Sequence, residues 1–421
     1  MNKEIKKLVM SVYTTVLITI FAAAVIFWFF SRSFATINVN PTEATISIDG
    51  GQTTQVTNGS LRVNLKPGIH KISVDADKYI GQSQDIELSR GFSKQISFTL
   101  KALPSPTQIT TAGKLLAKGN DFNSAYYLSG DNKTLYKIGV TLDENETIRI
   151  KQNRPITDPR LSGIESIAWS PTGELALFKK GTSAFLFDFM RYDFIHQTET
   201  LWANTVGEIA WSPDNTEVAY IYNGNGENSL ILSNFTNTSV DRALDLRDYN
   251  INNPILRWSP DSENLLIIPR NSNLAENKIY SFSLYSREIK AITDSGNQAD
   301  ASYSPDSDKI LYSTYSKDPN HSTPYTISAM KKDGSDKISL EIRADINKTA
   351  WNKDSKNIIV ANYDDVTKQE IVYNFNTEQK MQTGFSISNF GSLVIKSLLL
   401  TDDNKIILFE TGDGIYALKV E

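Results

Sequence analysis

Cysteine is absent from this 421-residue chain, and histidine occurs only at His70, His196 and His321. The lack of cysteine excludes disulfide bonds, thiolate catalysis and cysteine-ligated zinc. Three histidines so far apart in the chain do not predict a histidine-rich metal site. We therefore expect neither a metal nor another cofactor.

A basic cluster is also lacking beyond the first seven residues, and the formal net charge is −5. Binding to nucleic-acid phosphates requires a basic face, so we expect no nucleic-acid partner. The hydrophobic content of 40% with 22% charged residues is that of a folded protein. The length predicts two or three domains.

Known catalytic motifs are missing as well. The chain has no G-x-S-x-G nucleophile elbow, no Walker loop, no H-E-x-x-H and no dinucleotide-binding fingerprint. The sequence Gly-Asn-Gly-Glu-Asn at 224–228 superficially resembles a phosphate-binding loop. It lies between predicted strands and leads to no helix, so it predicts a hairpin loop. We expect a protein that is not an enzyme.

One long apolar run is present, at residues 8–30, and it contains no charge. As a helix it would reach roughly 34 Å, enough to cross a bilayer. The lysines before it predict a cytoplasmic N-terminus, with the bulk of the chain on the other side of the membrane. These flanking lysines are Lys3, Lys6 and Lys7, and the interfacial aromatic residues at the far end are Trp28, Phe29 and Phe30.

We interpret residues 1–33 as a cytoplasmic tip and an uncleaved signal anchor in the cytoplasmic membrane. The alternative is a cleaved signal peptide, processed at the three alanines 22–24. The apolar run continues well beyond those alanines, and a cleaved segment has only about 7–15 apolar residues. Either reading places the remainder in the periplasm or at the cell surface.

Residues 34–101 alternate between apolar and polar positions, which is typical of half-buried strands. Six short strands separated by Gly-containing and Pro-containing turns predict a small antiparallel β-sandwich. The residues that follow, 102–113, are rich in Pro, Ser and Thr and predict a semi-rigid linker.

The segment 34–101 resembles the PEGA domain, an all-β module of bacterial surface proteins. The resemblance rests on Pro-Thr-Glu-Ala at 41–44, Ile-Asp-Gly at 48–50, Leu-Lys-Pro-Gly-Ile-His at 65–70 and Lys78-Tyr79. Lys78 stands where the family usually has Gly. The resemblance implies a surface spacer or adhesion module without catalytic chemistry. We interpret His70, beside the Pro-Gly turn, as a hydrogen-bonded structural residue.

The strongest signal is an internal repeat after the linker, with six related segments at intervals of 42 to 48 residues. A period of this length, with several short strands per unit, predicts one four-stranded propeller blade per repeat. A large apolar residue ends the first strand of each repeat and would wedge between adjacent sheets. These anchors are Trp169, Trp211, Trp258, Tyr303, Trp351 and Leu399.

A turn follows each anchor, where proline presets φ and aspartate bonds its own backbone. The predicted turn residues are Pro171, Pro213, Asp214, Pro260, Asp261, Pro305, Asp306 and Asp354, with Asp402 as the carboxylate of the last repeat. A glycosidase-type acid pair or a calcium site is an alternative role for these carboxylates. Their recurrence at one turn in most repeats favours a role in specifying the fold.

The motif Trp-Ser-Pro-Asp, best seen at 211–214 and 258–261, resembles the TolB-type, WD40-like propellers. The resemblance implies an all-β propeller over 114–421. Three further strands before the first motif favour seven blades, with six as the alternative. We expect a strand from the N-terminal part of this region to pair with the final sheet and close the ring.

TolB-type relatives are associated with envelope assemblies. The preferred function is therefore a membrane-anchored, extracytoplasmic scaffold of the bacterial envelope whose propeller binds a protein partner. The alternative is a non-catalytic binder of cell-wall glycan, for which the loop containing Tyr315, Asn320, His321 and Tyr325 is a candidate. A propeller enzyme acting on glycans or peptides is the third hypothesis.

Overall fold

The computed structural model describes residues 3–30, 33–157, 161–183, 186–271, 273–388 and 390–420. Packing divides the chain into two compact units, Met1–Leu103 and Pro104–Glu421. Each unit has its own core, and each is described separately below.

The first unit begins with helix α1 (Lys3–Phe30). Within the described residues, α1 is the one helix that is long and apolar enough to cross a membrane, and none of its residues 6–23 is buried. Leu8, Phe21 and the apolar side chains between them therefore have no protein core to cover them. Arg32, which follows the apolar run, lies outside the described residues.

The rest of this unit is a β-sandwich with strand orders β4-β1-β7 and β3-β2-β5-β6. Its strands are β1 (Ser33–Asn40), β2 (Ala44–Ile48), β3 (Thr54–Val56), β4 (Ser60–Leu65), β5 (Gly68–Asp75), β6 (Gln82–Leu88) and β7 (Ser93–Thr99). Alternate residues of both sheets fill one core, including Ile37, Ile72 and Phe98. The structure adds the short strand β3 to the six that were predicted.

The sandwich differs from the purely antiparallel prediction at one pair. Strands β1 and β7 pair in parallel, with Ile37 opposite Ile96. Parallel strands need a long connection, and here the five intervening strands provide it. Alternation along one strand indicates which face is buried but not which neighbour it pairs with, so the sequence pattern did not reveal this pairing.

The second unit contains seven four-stranded antiparallel sheets, each built from consecutive strands except the last. The first three are β9 (Lys114–Lys118), β10 (Ser124–Leu128), β11 (Leu135–Leu142), β12 (Ile148–Pro155); β13 (Ile164–Trp169), β14 (Leu175–Ser183), β15 (Leu186–Asp193), β16 (Thr198–Ala203); and β17 (Val206–Trp211), β18 (Val218–Tyr222), β19 (Ser229–Ser233), β20 (Val240–Asp245).

The fourth to sixth sheets follow the same plan, with short 3₁₀ turns at Leu246–Tyr249, Leu274–Glu276 and Ile346–Lys348. Their strands are β21 (Ile255–Trp258), β22 (Asn264–Ile268), β23 (Tyr280–Ser283), β24 (Ile289–Ala291); β25 (Gln298–Tyr303), β26 (Lys309–Tyr315), β27 (Tyr325–Lys331), β28 (Ile338–Ile342); and β29 (Thr349–Trp351), β30 (Asn357–Asp364), β31 (Gln369–Asn376), β32 (Met381–Ile387).

The seventh sheet closes the ring. It consists of β33 (Ser397–Leu400), β34 (Ile406–Glu410), β35 (Gly414–Lys419) and, as its outermost strand, β8 (Thr107–Thr111). Residues 107–111 fall inside the predicted linker, so the linker prediction is wrong for this stretch. An outermost strand makes few contacts with the core, so β8 can consist largely of Thr and Gln. Its composition therefore resembles that of a linker.

The first strands of neighbouring blades lie against each other, β17 against β21 and β33 against β9, so they surround a central axis. The predicted fold class, an all-β propeller after an apolar helix and a sandwich, is confirmed. The strands of a blade alternate in direction. The turn between its first and second strands and the turn between its third and fourth strands therefore lie at the same end of the ring. We call this the turn end, and the opposite one, where the chain passes between blades, the crossover end.

Candidate functional site

Five of the six predicted anchors end the first strand of a blade and pack on the preceding blade. Trp211, for example, contacts a cluster that includes Leu177 and Phe189 of the second blade. Trp258 also donates a hydrogen bond from Nε1 to the carbonyl oxygen of Ala210, at 3.0 Å. The anchors thus hold the interfaces between blades, which we call seams. The five are Trp169, Trp211, Trp258, Tyr303 and Trp351.

The sixth anchor prediction, Leu399, is wrong by one residue. In every repeat the backbone N–H after the anchor donates to a carbonyl five residues further on, and here Thr401 N–H donates to Ile406 at 2.9 Å. Leu400 is therefore the equivalent residue, and it packs on the cluster between the sixth and seventh blades. Leu399 faces the first blade instead, because a shift of one residue in a strand reverses its face.

The predicted turn carboxylates bond their own turns. Asp306 Oδ1 accepts hydrogen bonds from Ser304 Oγ at 2.5 Å and from the backbone N–H of Asp308 at 3.1 Å. Burial opposes ionisation of Asp306, but these hydrogen bonds outweigh it and hold the pKa below its ordinary value. The same arrangement recurs at Asp214 and Asp261.

The last repeat departs from the prediction at its carboxylate too. Asp403, not Asp402, accepts the hydrogen bonds from Thr401 Oγ1 and from the backbone N–H of Lys405, at 2.7 and 3.1 Å. Asp354 accepts the corresponding hydrogen bonds from the backbone N–H groups of Lys356 and Asn357.

The four predicted prolines lie exposed at the turn end: Pro171, Pro213, Pro260 and Pro305.

Serine residues after the turn aspartates bridge three of the seams. Ser262, Ser307 and Ser355 have positive φ, and each Oγ accepts a hydrogen bond at 3.1 Å from an aspartate N–H of the preceding blade. The predicted turn residues are therefore spread around the ring in structural roles.

The charged residues that the sequence analysis missed lie three positions before the anchors, on the first strands or directly before them. They are Glu208, Asp300 and Lys348, and the equivalent positions in other repeats are Ser166, Ile255 and Ser397. The sequence could have revealed these residues, because each is a charged residue at the start of a segment that forms an inner strand. In the aligned repeats it is the first residue of Glu-Ile-Ala-Trp, Asp-Ala-Ser-Tyr and Lys-Thr-Ala-Trp.

Two cavities meet at Glu208. One of about 340 Å³ lies among the first strands of the second to fourth blades, where Ser166, Glu208 and Arg257 line it. The other, of about 250 Å³, lies towards the crossover end, with Lys179 and Arg270 beside Glu208. We call this charged region the funnel and define it by Lys179, Glu208, Arg257, Arg270 and Asp300.

The funnel holds its carboxylates in an environment of low polarity. Burial raises the pKa of Glu208, although Arg270, Arg257 and Lys179 favour its charged form. Burial also raises the pKa of Asp300, against the opposing effect of Arg257, whose Nη2 lies 3.1 Å from Asp300 Oδ2. Perturbed carboxyl groups in a cavity mark a candidate functional site.

A second buried pair lies beside the sixth blade. Lys348 Nζ donates to Glu370 Oε1 at 2.6 Å, and Glu370 is fully buried. The same oxygen accepts a hydrogen bond from the backbone N–H of Ile395 at 3.2 Å, on the way into the seventh blade. This pair ties two blades together and is not exposed to a ligand.

The loop proposed for glycan binding contains a polar network. His321 Nδ1 lies 3.2 Å from Asp365 Oδ2, and Asp365 also accepts a hydrogen bond from Ser322 Oγ at 2.5 Å. The rings of Tyr315 and Tyr325 pack edge to face, with centroids 5.7 Å apart. Among the described residues no three acidic or histidine side chains are placed to hold a metal ion.

No protein-family model matches the chain, and no curated protein is similar to it in sequence. Solved structures that it resembles include TolB from Acinetobacter baumannii, at 13% identity over 77% of this chain and 79% of that chain, with a TM-score of 0.42. Hydrazine synthase from Kuenenia stuttgartiensis has 13% identity over 75% of this chain and 98% of that chain, with a TM-score of 0.49.

An oligogalacturonate lyase in complex with manganese is similar at 10% identity over 84% of this chain and 86% of that chain, with a TM-score of 0.41. These similar proteins include enzymes as well as TolB. The ring of seven four-stranded sheets itself identifies this chain as an all-β propeller joined to an apolar helix.

Proposed function

We propose that this protein is a non-enzymatic scaffold of the bacterial envelope, anchored in the cytoplasmic membrane by α1, whose propeller binds a protein partner at the funnel. The observation that carries the proposal is the placement of Lys179, Glu208 and Arg270 around a cavity at one end of the ring. Charged and hydrogen-bonding groups on a concave surface provide specificity for a complementary segment.

The anchor supports the location. Residues 8–23 of α1 carry no charge and are unburied, as expected of a segment that lies in lipid. Lys3, Lys6 and Lys7 before it favour a cytoplasmic N-terminus. The resemblance of the repeats to TolB-type propellers is consistent with a partner in the envelope.

Site-specific photocrosslinking in intact cells tests the partner. A photoreactive phenylalanine at Asn223, which lines the funnel, is expected to crosslink to one protein. The same group at Tyr285, fully exposed near the turn end, serves as the control and is expected to give no such product. Adding Glu208→Gln and Arg270→Gln to the Asn223 variant is expected to reduce the product at least fivefold. Equal products from both positions would contradict the proposal.

The glycan alternative predicts a different result. Purified chain in detergent would co-sediment with cell-wall sacculi in a saturable way, and a soluble wall fragment would compete. If binding also falls when Tyr315 and His321 are replaced together by Ala, the loop around 315–325 carries the function and the funnel proposal is wrong. Sedimentation equal to a non-binding control protein leaves the protein partner in place.

A further inference from the structure

The seam between the first and second blades differs from those bridged by serine. At the equivalent turn position the second blade has Gly173, with φ of +69°. A Cβ here would lie 2.4 Å from Tyr126 Oη and 2.8 Å from Asn120 Cγ. A side chain at this position would therefore have to displace Tyr126 and Asn120, and in the native chain no side chain from this position crosses the seam.

A cavity of about 520 Å³ lies at this seam, and Gly173 lines it. Its apolar wall includes Phe194, which is half-buried, and Tyr126, which is only 3% exposed. The ring centroids of Phe194 and Tyr126 lie 5.3 and 4.0 Å from that of Trp169, and the rings are nearly parallel to it. Pro155 and Ile156 continue this wall. Such a surface suits a flat apolar group, because aromatic rings pack well in offset stacks.

Two cationic side chains reach the same cavity. The side chain of Lys137 is only 9% exposed, and its Nζ donates to Asn120 Oδ1 at 2.6 Å and pairs with Asp121. Arg154 is exposed and makes no ion pair within the described part of the chain. Asp121 offsets the charge of Lys137, so the guanidinium of Arg154 is the positive group left for a ligand.

The amide groups of the cavity are already engaged. Gln197 Nε2 donates to the carbonyl oxygens of Phe194 and Ile156, at 2.8 and 3.1 Å. Asn120 Nδ2 donates to the carbonyl oxygen of Thr172 at 2.5 Å. Sugar recognition needs several free hydrogen-bonding partners for hydroxyl groups, whereas a carboxylate needs the guanidinium fork alone.

We infer that this cavity, the seam pocket, binds a peptide carboxylate next to an aromatic side chain. Arg154 takes the carboxylate, and the wall formed by Phe194, Pro155 and Ile156 takes the ring. The seam pocket shares no lining residue with the two cavities of the funnel. The inference therefore does not rest on the proposed function, and either can fail without the other.

The test compares two probes that differ only in charge, N-acetyl-L-phenylalanine and N-acetyl-L-phenylalaninamide. Binding to the full chain in detergent is measured by ligand-observed NMR titration. The acid is expected to bind saturably and at least fivefold more tightly than the amide. Arg154→Gln is expected to weaken binding of the acid at least fivefold, while Lys151→Gln, which removes an exposed charge from the same strand, leaves it unchanged.

The second variant places a side chain in the pocket. Gly173→Asn is expected to abolish binding of the acid, because the added side chain takes up space beside Tyr126 and Asn120, which line the pocket. Asparagine suits the backbone, since Asn215 and Asn404 adopt the equivalent left-handed conformation in other repeats. Its thermal unfolding is recorded beside the binding data, and Arg154→Gln keeps the test valid if this variant does not fold. Equal binding of acid and amide, or full binding by Arg154→Gln, overturns the inference. So does Arg154-dependent binding of galacturonic acid without binding of the phenylalanine probe, which assigns the pocket to acidic sugars.

Discussion

At the scale of the residue, the same turn position is filled in different ways around the ring. The residue four positions after the anchor adopts a left-handed backbone as Gly173, Asn215, Ser262, Ser307 or Ser355. A left-handed conformation costs a non-glycine residue free energy, since Cβ crowds the backbone. The serines offset this cost with an inter-blade hydrogen bond, whereas Gly173 avoids it and leaves the seam pocket open.

Replacement of Ser307 tests this balance. Ser307→Ala keeps the strained backbone and removes the acceptor for Asp261 N–H, so we expect a loss of about 1–2 kcal/mol in the free energy of unfolding. Ser307→Gly relieves the backbone and should lose less than Ser307→Ala. Urea unfolding followed by tryptophan fluorescence measures both, with the exposed Ser286→Ala as a control. An alanine variant as stable as the wild type would contradict the bridging role.

His70 has the structural role that was predicted for it. Its Nδ1 lies 2.6 Å from Asp49 Oδ2, and its Nε2 lies 2.8 Å from the carbonyl oxygen of Lys66. The Asp49 carboxylate, and then the Lys66 carbonyl, raise the pKa of His70 above its ordinary value of 6.5. Both acceptors favour the protonated ring, in which both nitrogens donate.

The sandwich should therefore lose stability as the pH rises. Because the pKa of His70 is higher in the folded state, its protonation contributes to the free energy of unfolding. This contribution is fully present below pH 6.5, and it is lost as the pH rises through the folded-state pKa. We expect His70→Asn to flatten this part of the pH dependence between pH 6 and pH 8. Urea unfolding followed through the methyl NMR signals of the buried Ile72 and Val74 measures it. The hypothesis fails if wild type and variant show the same slope.

At the scale of the element, the closing strand β8 decides whether the ring is complete. It pairs with β35, placing Thr110 opposite Ile415 and Thr107 opposite Ala417. Without it, β35 would present an unpaired apolar edge, which is a template for aggregation. Ile109 is its one large apolar residue, and it packs on the cluster between the first and seventh blades.

Ile109→Glu is expected to lower the free energy of unfolding of the propeller by about 2 kcal/mol, because it removes apolar contacts and places a charge at a partly covered site. Thr107→Glu, on the same strand but exposed, should change it by less than about 0.5 kcal/mol. Urea unfolding followed by tryptophan fluorescence compares the two. Equal effects would show that β8 contributes through its backbone alone.

At the scale of the whole molecule, the funnel collects charges from several repeats. Glu208 comes from the third blade, Arg257 from the fourth and Asp300 from the fifth. The raised pKa values of both carboxyl groups mean that their ionised forms are disfavoured in the folded state. Groups retained at the expense of stability are typical of binding sites.

Glu208→Gln is expected to stabilise the propeller at neutral pH. A raised pKa means that stability falls as the pH rises from the ordinary value of 4.5 towards the folded-state value, and the amide removes that loss. The gain in the free energy of unfolding over the wild type should vanish below about pH 4. The control Glu174→Gln, at an exposed position, should be as stable as the wild type at every pH. Urea midpoints at a series of pH values measure it. A less stable Glu208→Gln variant would show that the surrounding cations dominate.

Local patterns in the sequence determined much of this architecture. The apolar run predicted α1, and the repeat spacing predicted blades whose seams are filled by Trp169, Trp211 and their equivalents. Aromatic size, proline geometry and the self-bonding of aspartate act within a few residues, so they can be read without coordinates. The last repeat was misread at Leu399 and Asp402 because its Ser-Pro landmark is missing, and a shift of one residue is invisible without it.

Only the tertiary structure decided what is brought together from different repeats. The strand β8 has the composition of a linker and becomes a strand because β35 offers it an edge. Glu208 meets Arg270 and Lys179 because the second, third and fourth blades meet there, and Gly173 borders a pocket because residues of the first blade pack beside it. These features depend on contacts between residues that are distant in the chain, and a pattern with a period of one blade carries no information about them.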